Sequence, residues 1–159
     1  FVHSKFSSRW IVLATKEVAM WYNPMTTWLL KSPLHGMISK GVMLVSVTGC
    51  KSGKSISTPT NYVRDGNTLW VISWRDRKWW RNLRGGAQVR VLLAGKSVEG
   101  GGQVIEEEKA VAQSLFDYYR KAPQTAKYVQ VGLDAAGLPV SADCERAAQK
   151  MVMVRIDAV

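Results

Sequence analysis

The chain has 159 residues and a mass of 17.7 kDa, which is long enough for about one domain with a single hydrophobic core. Hydrophobic residues make up 47% of the chain and charged residues 21%, a composition that excludes an intrinsically disordered protein. The net charge of +10 indicates an acidic partner such as a phosphate group, a nucleic acid or an anionic lipid, without choosing among them.

The first predicted element is an amphipathic helix. Ser7 and Ser8 are suitable N-caps for a helix from about Arg9 to Tyr22, and Asn23-Pro24 end it. We expect residues 1–31, this helix and its linker, either to dock on the chain's own domain or to make a peripheral membrane contact. The helix carries basic residues beside one apolar stripe, formed by Trp10, Ala14, Val18, Trp21 and Met25.

The pattern changes to strands after residue 41. Val42–Thr48 is apolar and β-branched, which predicts a strand. Two further strands, Ser57–Arg64 and Thr68–Trp74, flank the turn sequence Asp65-Gly66-Asn67, and Asp-Gly between two such runs is a strong hairpin signal. The polar and aromatic segment that follows, Arg75–Arg84, predicts a turn of helix.

The second half of the chain predicts another hairpin, a helix and a final strand. Gln88–Ala94 and Ser97–Ile105 are the strands of the hairpin. Glu106–Arg120 predicts a helix, because carboxylates in a first turn complement the helix dipole. A Gly- and Ala-rich surface loop is expected over residues 132–142, and Met151–Ile156 predicts the last strand.

These elements predict an α+β fold. Hairpins join most of the strands, so the sheet should be mostly antiparallel, and about six strands with two or more capping helices are typical of a barrel. We expect the barrel to occupy residues 32–159, after the N-terminal helix.

The loop from Gly49 to Lys54 resembles a phosphate-binding loop without matching the Walker pattern. Three residues instead of four separate its first glycine from Gly-Lys-Ser, and the β-branched run Ile56–Thr60 predicts a strand where a Walker loop opens a helix. Glycine still permits turns that point N–H groups at an anion, and Lys51 and Lys54 add positive charge. The loop is thus compatible with a phosphate cradle or with a plain hairpin turn.

Aromatic residues downstream of this loop favour a cofactor with a flat ring. Trp74, Trp79 and Trp80 offer apolar walls, and Arg81 and Asn82 offer hydrogen-bond donors to ring carbonyl oxygens. A phosphate cradle near such walls is typical of a flavin-type site. The alternative is that these tryptophans fill one end of the barrel.

Cysteine usage and hydropathy predict a reduced, cytoplasmic setting. Cys50 and Cys144 are the two cysteines and form no Cys-x-x-Cys pair, so no disulfide framework is expected. Together with His3 and His35 they lack the spacing of a zinc site, and we predict no metal. No apolar run reaches the roughly 18 residues of a membrane-spanning helix.

In this order and at these spacings, the segments resemble the deazaflavin-dependent nitroreductase family. The likeness extends from about residue 32 to 122, and it implies a split β-barrel, usually dimeric, that binds coenzyme F-420 or, in some relatives, FMN. The motifs that carry it are Ser32-Pro33-Leu34-His35, the run from Val47 to Gly53, Thr58-Pro59, Tyr62-Val63-Arg64-Asp65-Gly66, and the run from Lys78 to Gly86.

The resemblance implies three groups of cofactor-binding residues. The family's Gly-x-Lys-Ser-Gly loop holds the phosphate and acidic tail, a role that falls here on Lys51, Ser52, Gly53 and Lys54. The ring lies beside the Trp-Asn-Leu segment, which here supplies Trp79, Trp80, Asn82 and Leu83. A strand flanks the ring, and its residues here are Thr58, Pro59 and Thr60.

Two features bear on how closely the chain follows the family. Cys50 stands where the family often has arginine, which removes one charge from the cradle. In relatives that reduce bulky quinones or nitroaromatics, a tyrosine from late in the chain helps to form the substrate site, and its candidate counterparts are Tyr118, Tyr119 and Tyr128.

The expected activity is transfer of hydride from reduced coenzyme F-420, or alternatively FMN, to a small acceptor such as a quinone, a nitro compound or an activated alkene. Such chemistry asks the protein for positioning rather than a nucleophile, and no catalytic residue is assigned. One alternative is a non-catalytic carrier of flavin, haem or lipid on the same barrel. The other is a nucleic-acid binder, which the absence of a known binding motif disfavours.

Overall fold

A computed structural model gives the structure of residues 41–158, and the predicted N-terminal helix with its membrane contact lies outside these described residues. Seven strands run in chain order: β1 Val42–Thr48, β2 Ser55–Asn61, β3 Val63–Asp65, β4 Thr68–Trp74, β5 Ala87–Leu93, β6 Lys96–Ile105 and β7 Met151–Ala158. The helices are α1 Glu108–Lys121, α2 Ser141–Ala148 and two 3-10 helices, Trp79–Leu83 and Pro123–Val129.

The strands form one antiparallel sheet in the order β2-β1-β5-β6-β7-β4-β3. The sheet curls into a half-barrel, so that its edge strand β2 also contacts β4. The expected single strand Ser57–Arg64 is two strands, because the chain breaks at Tyr62, whose N–H donates to the carbonyl of Gly41. The described part of the chain therefore has seven strands instead of about six, and its class is the predicted α+β.

Two hydrophobic cores lie on the two faces of this sheet, and β7 contributes to both. Val152, Val154 and Ile156 face the inside of the half-barrel, where they pack with β1, β4, β5 and the first 3-10 helix. The alternate residues Met151 and Met153 face the outside, where they pack with α1 and α2. Side chains of a strand alternate between faces, so a strand buried on both faces is apolar throughout.

The helical predictions need two corrections. The first α-helix begins at Glu108 because Glu107 is its N-cap, accepting from the N–H groups of Lys109 and Ala110. Glu106 stays outside the helix and accepts two bonds from the Arg84 guanidinium, which holds the pKa of Glu106 below its ordinary value. The second α-helix was not predicted. It begins at Ser141, at the end of the expected surface loop.

No helix between residues 41 and 158 is long and apolar enough to cross a membrane. In that part of the chain, no three His, Cys, Asp or Glu side chains are grouped so that they could hold a metal ion.

Gly102 lets the first 3-10 helix approach the sheet. A Cβ at this position would lie 2.8 Å from Val89 Cγ1 and 3.2 Å from Leu83 Cδ2, both in the inner core. We expect Gly102→Ala to lower the free energy of unfolding by roughly 1–3 kcal/mol through overpacking, as measured by urea denaturation. Gly101→Ala is the matched control, because nothing lies within 4 Å of its added Cβ. Equal stability of the two variants would contradict this packing.

Candidate functional site

The loop between β1 and β2 is closed by its own backbone. The N–H of Gly49 donates to the carbonyl of Lys54 at 2.8 Å, and the N–H of Gly53 donates to the carbonyl of Gly49 at 2.8 Å. Gly53 has a φ of +65°, in the left-handed region that favours glycine. A Cβ on Gly49 would lie 2.7 Å from Ser52 Oγ, so a side chain there would displace the hydroxyl that accepts from the Lys54 N–H.

The tip of the loop carries donors that suit an anion. Four of the six N–H groups from Gly49 to Lys54 are bonded, since Cys50 donates to Asn82 Oδ1 and Lys54 donates to Ser52 Oγ besides the two closing bonds. Within residues 41–158, the N–H groups of Lys51 and Ser52 have no such partner. Lys51, Ser52 and Lys54 are exposed, and neither lysine forms an ion pair with another described residue. Two N–H groups, two ammonium groups and a hydroxyl make a phosphate-type donor set.

Asn82 links this loop to the first 3-10 helix. Its Oδ1 accepts from the Cys50 N–H at 3.0 Å, and its Nδ2 donates to the Trp79 carbonyl at 2.9 Å. The two elements are far apart in sequence but adjacent in the fold. The predicted phosphate loop and the predicted ring wall are therefore brought together.

A cavity of about 810 Å³ lies between β2, the end of β4, α1 and the second 3-10 helix. It is lined by all three predicted residues of β2, which are Thr58, Pro59 and Thr60, and by Trp79. The volume is in the upper part of the range for small-molecule and cofactor sites, roughly 300–1,000 Å³. None of its described lining residues is a carboxylate.

Two buried hydroxyls and an indole are among the polar groups on the sheet side of the cavity. The Trp79 Nε1 donates to Ser73 Oγ at 3.1 Å, which fixes the indole plane against β4. Thr58 and Ser73 are both buried and both line the cavity. Ser73 is a site residue that the sequence did not reveal, since a serine in a strand carries no motif.

Tyrosines form the opposite wall. Tyr118 and Tyr119 of α1 line the cavity, are 6% and 2% exposed, and have ring centroids 5.3 Å apart in an edge-to-face arrangement. Neither hydroxyl has a hydrogen-bond partner among the described residues. Burial raises the pKa of Tyr118 to about 12 and also raises the pKa of Tyr119, so both phenols stay protonated at neutral pH. Tyr128, which is half-exposed, also lines the cavity.

Two of the predicted ring-wall residues lie in the core instead of the cavity. Trp80 is 2% exposed, and its Nε1 donates to the Trp74 carbonyl at 3.0 Å. The guanidinium carbons of Arg81 and Arg84 lie 5.5 and 5.2 Å from its ring centroid. Leu83 is fully buried in the inner core. Of the Trp-Asn-Leu segment, only Trp79 lines the cavity, and Asn82 contacts the loop.

The loop and the cavity lie at successive positions along one strand. β2 starts at Ser55, directly after the loop, and enters the cavity at Thr58. Three residues of extended strand span about 10 Å, so a molecule with a flat ring and a phosphate-bearing side arm could occupy both. The donor set, the aromatic wall and the spacing fit such a cofactor.

Solved structures share the fold of this chain. No curated protein matches the chain. Among solved structures, a pyridoxamine 5′-phosphate oxidase-type protein from Listeria innocua is 14% identical with a TM-score of 0.51, covering 79% of this chain and 89% of its own. The general stress FMN/FAD binding protein from Xanthomonas citri is 16% identical with a TM-score of 0.50, covering 76% of each chain. At these identities the likeness establishes the fold alone.

The family comparison covers most of the chain. Residues 31–144, which include the loop, β2, the first 3-10 helix and α1, match the model of the F420H(2)-dependent quinone reductase family. This range holds the loop Gly49–Lys54, Trp79, Asn82 and the cavity tyrosines Tyr118, Tyr119 and Tyr128. It is well over half of the 159 residues. The chain therefore belongs to the F420H(2)-dependent quinone reductase family.

Proposed function

We propose that this protein is a cytoplasmic oxidoreductase that uses coenzyme F-420 to reduce a small acceptor such as a quinone, a nitro compound or an activated alkene. The observation that carries the proposal is the arrangement along β2, where the basic loop Gly49–Lys54 leads directly into a cavity with Thr58 and Trp79 in its wall. Membership of the family supports the choice of cofactor.

In this proposal the loop holds the phosphate and acidic tail. Lys51 and Lys54 supply charge, while Ser52 and the free N–H groups of the tip supply directed hydrogen bonds. Gly53 gives the turn its shape. The side chain of Cys50 adds no charge, so the affinity for the tail depends on the two lysines.

The ring lies in the cavity against Trp79 and the β2 residues Thr58, Pro59 and Thr60. When bound, F-420 supplies the hydride that reduces the acceptor. The protein contributes position and surroundings: Trp79 is oriented by Ser73, and the aromatic side chains of Trp79, Tyr118 and Tyr119 offer apolar surface to the ring and the acceptor. None of the described lining residues would place a fixed negative charge against an electron-rich ring.

The acceptor lies on the tyrosine side of the cavity. Tyr118 and Tyr119 are protonated donors without an intramolecular partner in the described chain, and a carbonyl or nitro oxygen would satisfy them. Because their pKa values are raised, they hold and polarise the acceptor through hydrogen bonds, and the proton that completes reduction comes from solvent.

Cofactor titration tests the proposal. Purified protein is titrated into F-420 and, separately, into FMN, with quenching of cofactor fluorescence as the signal. We expect saturable binding of F-420 that is tighter than binding of FMN. Tighter binding of FMN would mean that FMN, and not F-420, is the cofactor. No binding of either would overturn the proposal.

Light scattering of the same sample tests the homodimer that the family resemblance implies.

The tyrosine wall can be tested separately from the cofactor. We expect the double variant Tyr118→Phe/Tyr119→Phe to raise the KM for menadione roughly three- to tenfold, the value of one or two lost hydrogen bonds, and to leave F-420 affinity unchanged. Steady-state kinetics and fluorescence titration measure the two quantities. Ser97→Ala, which removes an exposed hydroxyl on β6, is the control. An unchanged KM would remove the tyrosines from the acceptor site.

A further inference from the structure

The side-chain amide of Asn82 is fully used within the protein. Its oxygen accepts from the Cys50 N–H at 3.0 Å, and its nitrogen donates to the Trp79 carbonyl at 2.9 Å. Only one orientation of the amide satisfies both bonds, since the first needs an acceptor and the second a donor. Asn82 is also absent from the residues that line the cavity.

The bond to Cys50 anchors an otherwise exposed turn. β1 and β2 hold the two ends of the loop, and its internal bonds join Gly49 to Gly53 and Lys54. Among the described contacts, Asn82 supplies the one hydrogen bond from the tip to another element of the fold. The anchored N–H directly precedes those of Lys51 and Ser52, which are the free donors of the tip.

We propose that Asn82 is a positioning residue that holds the phosphate cradle at a set distance from the Trp79 wall, without itself contacting the cofactor. The inference rests on the proposed function, in which phosphate and ring bind to these two elements. A cofactor that joins a ring to a phosphate binds best when both halves of the site are already at the right separation, because no binding energy is then spent on ordering the loop. The anchor uses the Cys50 backbone, so it is independent of the side chain at that position.

Loss of the Asn82 anchor should affect the two halves of the ligand differently. Loss of the anchor should weaken the binding of phosphate while leaving the binding of the ring unchanged. A residue that touched the ring would affect both, and a general loss of structure would also lower both. The informative quantity is therefore the affinity gained when the phosphate is added to the same ring.

The binding experiment compares riboflavin with FMN, and F-420 with its phosphate-free ring and ribityl fragment. In Asn82→Ala we expect the ratio of the affinities with and without the phosphate to fall roughly three- to tenfold, which is the value of one hydrogen bond. The affinity for the phosphate-free ligands should not change. Asn67→Ala in the β3–β4 turn is the matched control. An equal loss for both members of a pair, or no loss at all, would overturn the proposal.

Amide hydrogen exchange tests the anchor without any cofactor. The Cys50 N–H should be protected in the wild type, exchange faster in Asn82→Ala, and remain protected in Asn82→Asp, which keeps an acceptor oxygen. Equal exchange of Cys50 in the wild type and Asn82→Ala would refute the anchor. If the wild type bound none of the flavins, the proposed function would fail, while this exchange measurement would still decide the role of Asn82.

Asn82→Leu carries the binding test if the alanine variant does not fold, because it keeps most of the side-chain volume and removes both hydrogen bonds. The affinity gained from the phosphate should again fall while riboflavin affinity stays at the wild-type value. A matching fall in riboflavin affinity would mean that Asn82 contacts the ring, contrary to the proposal.

Discussion

Replacing both cradle lysines should weaken F-420 binding more than any other surface change in the described chain. We expect Lys51→Ala/Lys54→Ala to raise the Kd by roughly 30- to 1,000-fold at low ionic strength, because each charge-assisted contact with phosphate or carboxylate is worth about 1–2 kcal/mol at an exposed site. The loss should shrink as salt is added, since the screening length falls to about 3 Å at ~1 M. Fluorescence titration at several salt concentrations measures both effects.

The control for this double variant removes the same net charge elsewhere. Lys96→Ala/Lys109→Ala takes two exposed lysines from the start of β6 and from α1, and neither position adjoins the loop or lines the cavity. We expect its F-420 affinity to stay within about twofold of the wild type. If the two double variants lost affinity equally, long-range charge and not the cradle would explain binding.

Replacing Trp80 should have the largest effect on stability. Trp80→Ala removes a buried indole from the inner core together with its bond to the Trp74 carbonyl, and we expect the free energy of unfolding to fall by roughly 3–5 kcal/mol. The loss includes the contacts of Arg81 and Arg84 with the ring face. Urea denaturation followed by circular dichroism measures the change.

Trp79 provides the comparison within the same 3-10 helix. Trp79→Phe keeps an aromatic wall but loses the bond to Ser73, so we expect a smaller loss of stability, about 1–2 kcal/mol, together with weaker F-420 binding. Trp80→Phe should lose more stability than Trp79→Phe and keep a cofactor affinity near the wild-type value. Should Trp80→Phe reduce affinity more than Trp79→Phe, the assignment of the two indoles would be reversed.

Local sequence signals were sufficient for the strands with clear boundaries. The bounds predicted for β1 and β4 are confirmed, because each is an apolar run next to glycine-containing turns, as at Asp65-Gly66-Asn67. The predicted strand 57–64 was wrong at Tyr62, since a break in pairing depends on the curl of the whole sheet. Helix α2 was missed because it is short and lies next to a Gly-rich stretch that is typical of loops.

Candidate site residues can be proposed from the sequence, but which of them line the cavity cannot. The family motifs brought out the loop, Thr58 to Thr60 and the Trp-Asn-Leu segment, and the structure places Thr58 and Trp79 in one cavity. Trp79 and Trp80 are adjacent, chemically identical and both buried in the inner core, so only the rotation of the 3-10 helix shows which one also lines the cavity. The proposed role of Asn82 rests on a contact across 32 positions of sequence, which no local pattern reveals.

The most direct test of the central claim is turnover of menadione with reduced F-420. Recovery of the visible absorbance of oxidised F-420 is followed with the wild type, Lys51→Ala/Lys54→Ala and no protein. We predict rapid recovery with the wild type, recovery reduced in the double variant at limiting cofactor, and almost none without protein. Tight binding of F-420 with no recovery for menadione, a nitroaromatic or an activated alkene would contradict the claim and make the protein a carrier.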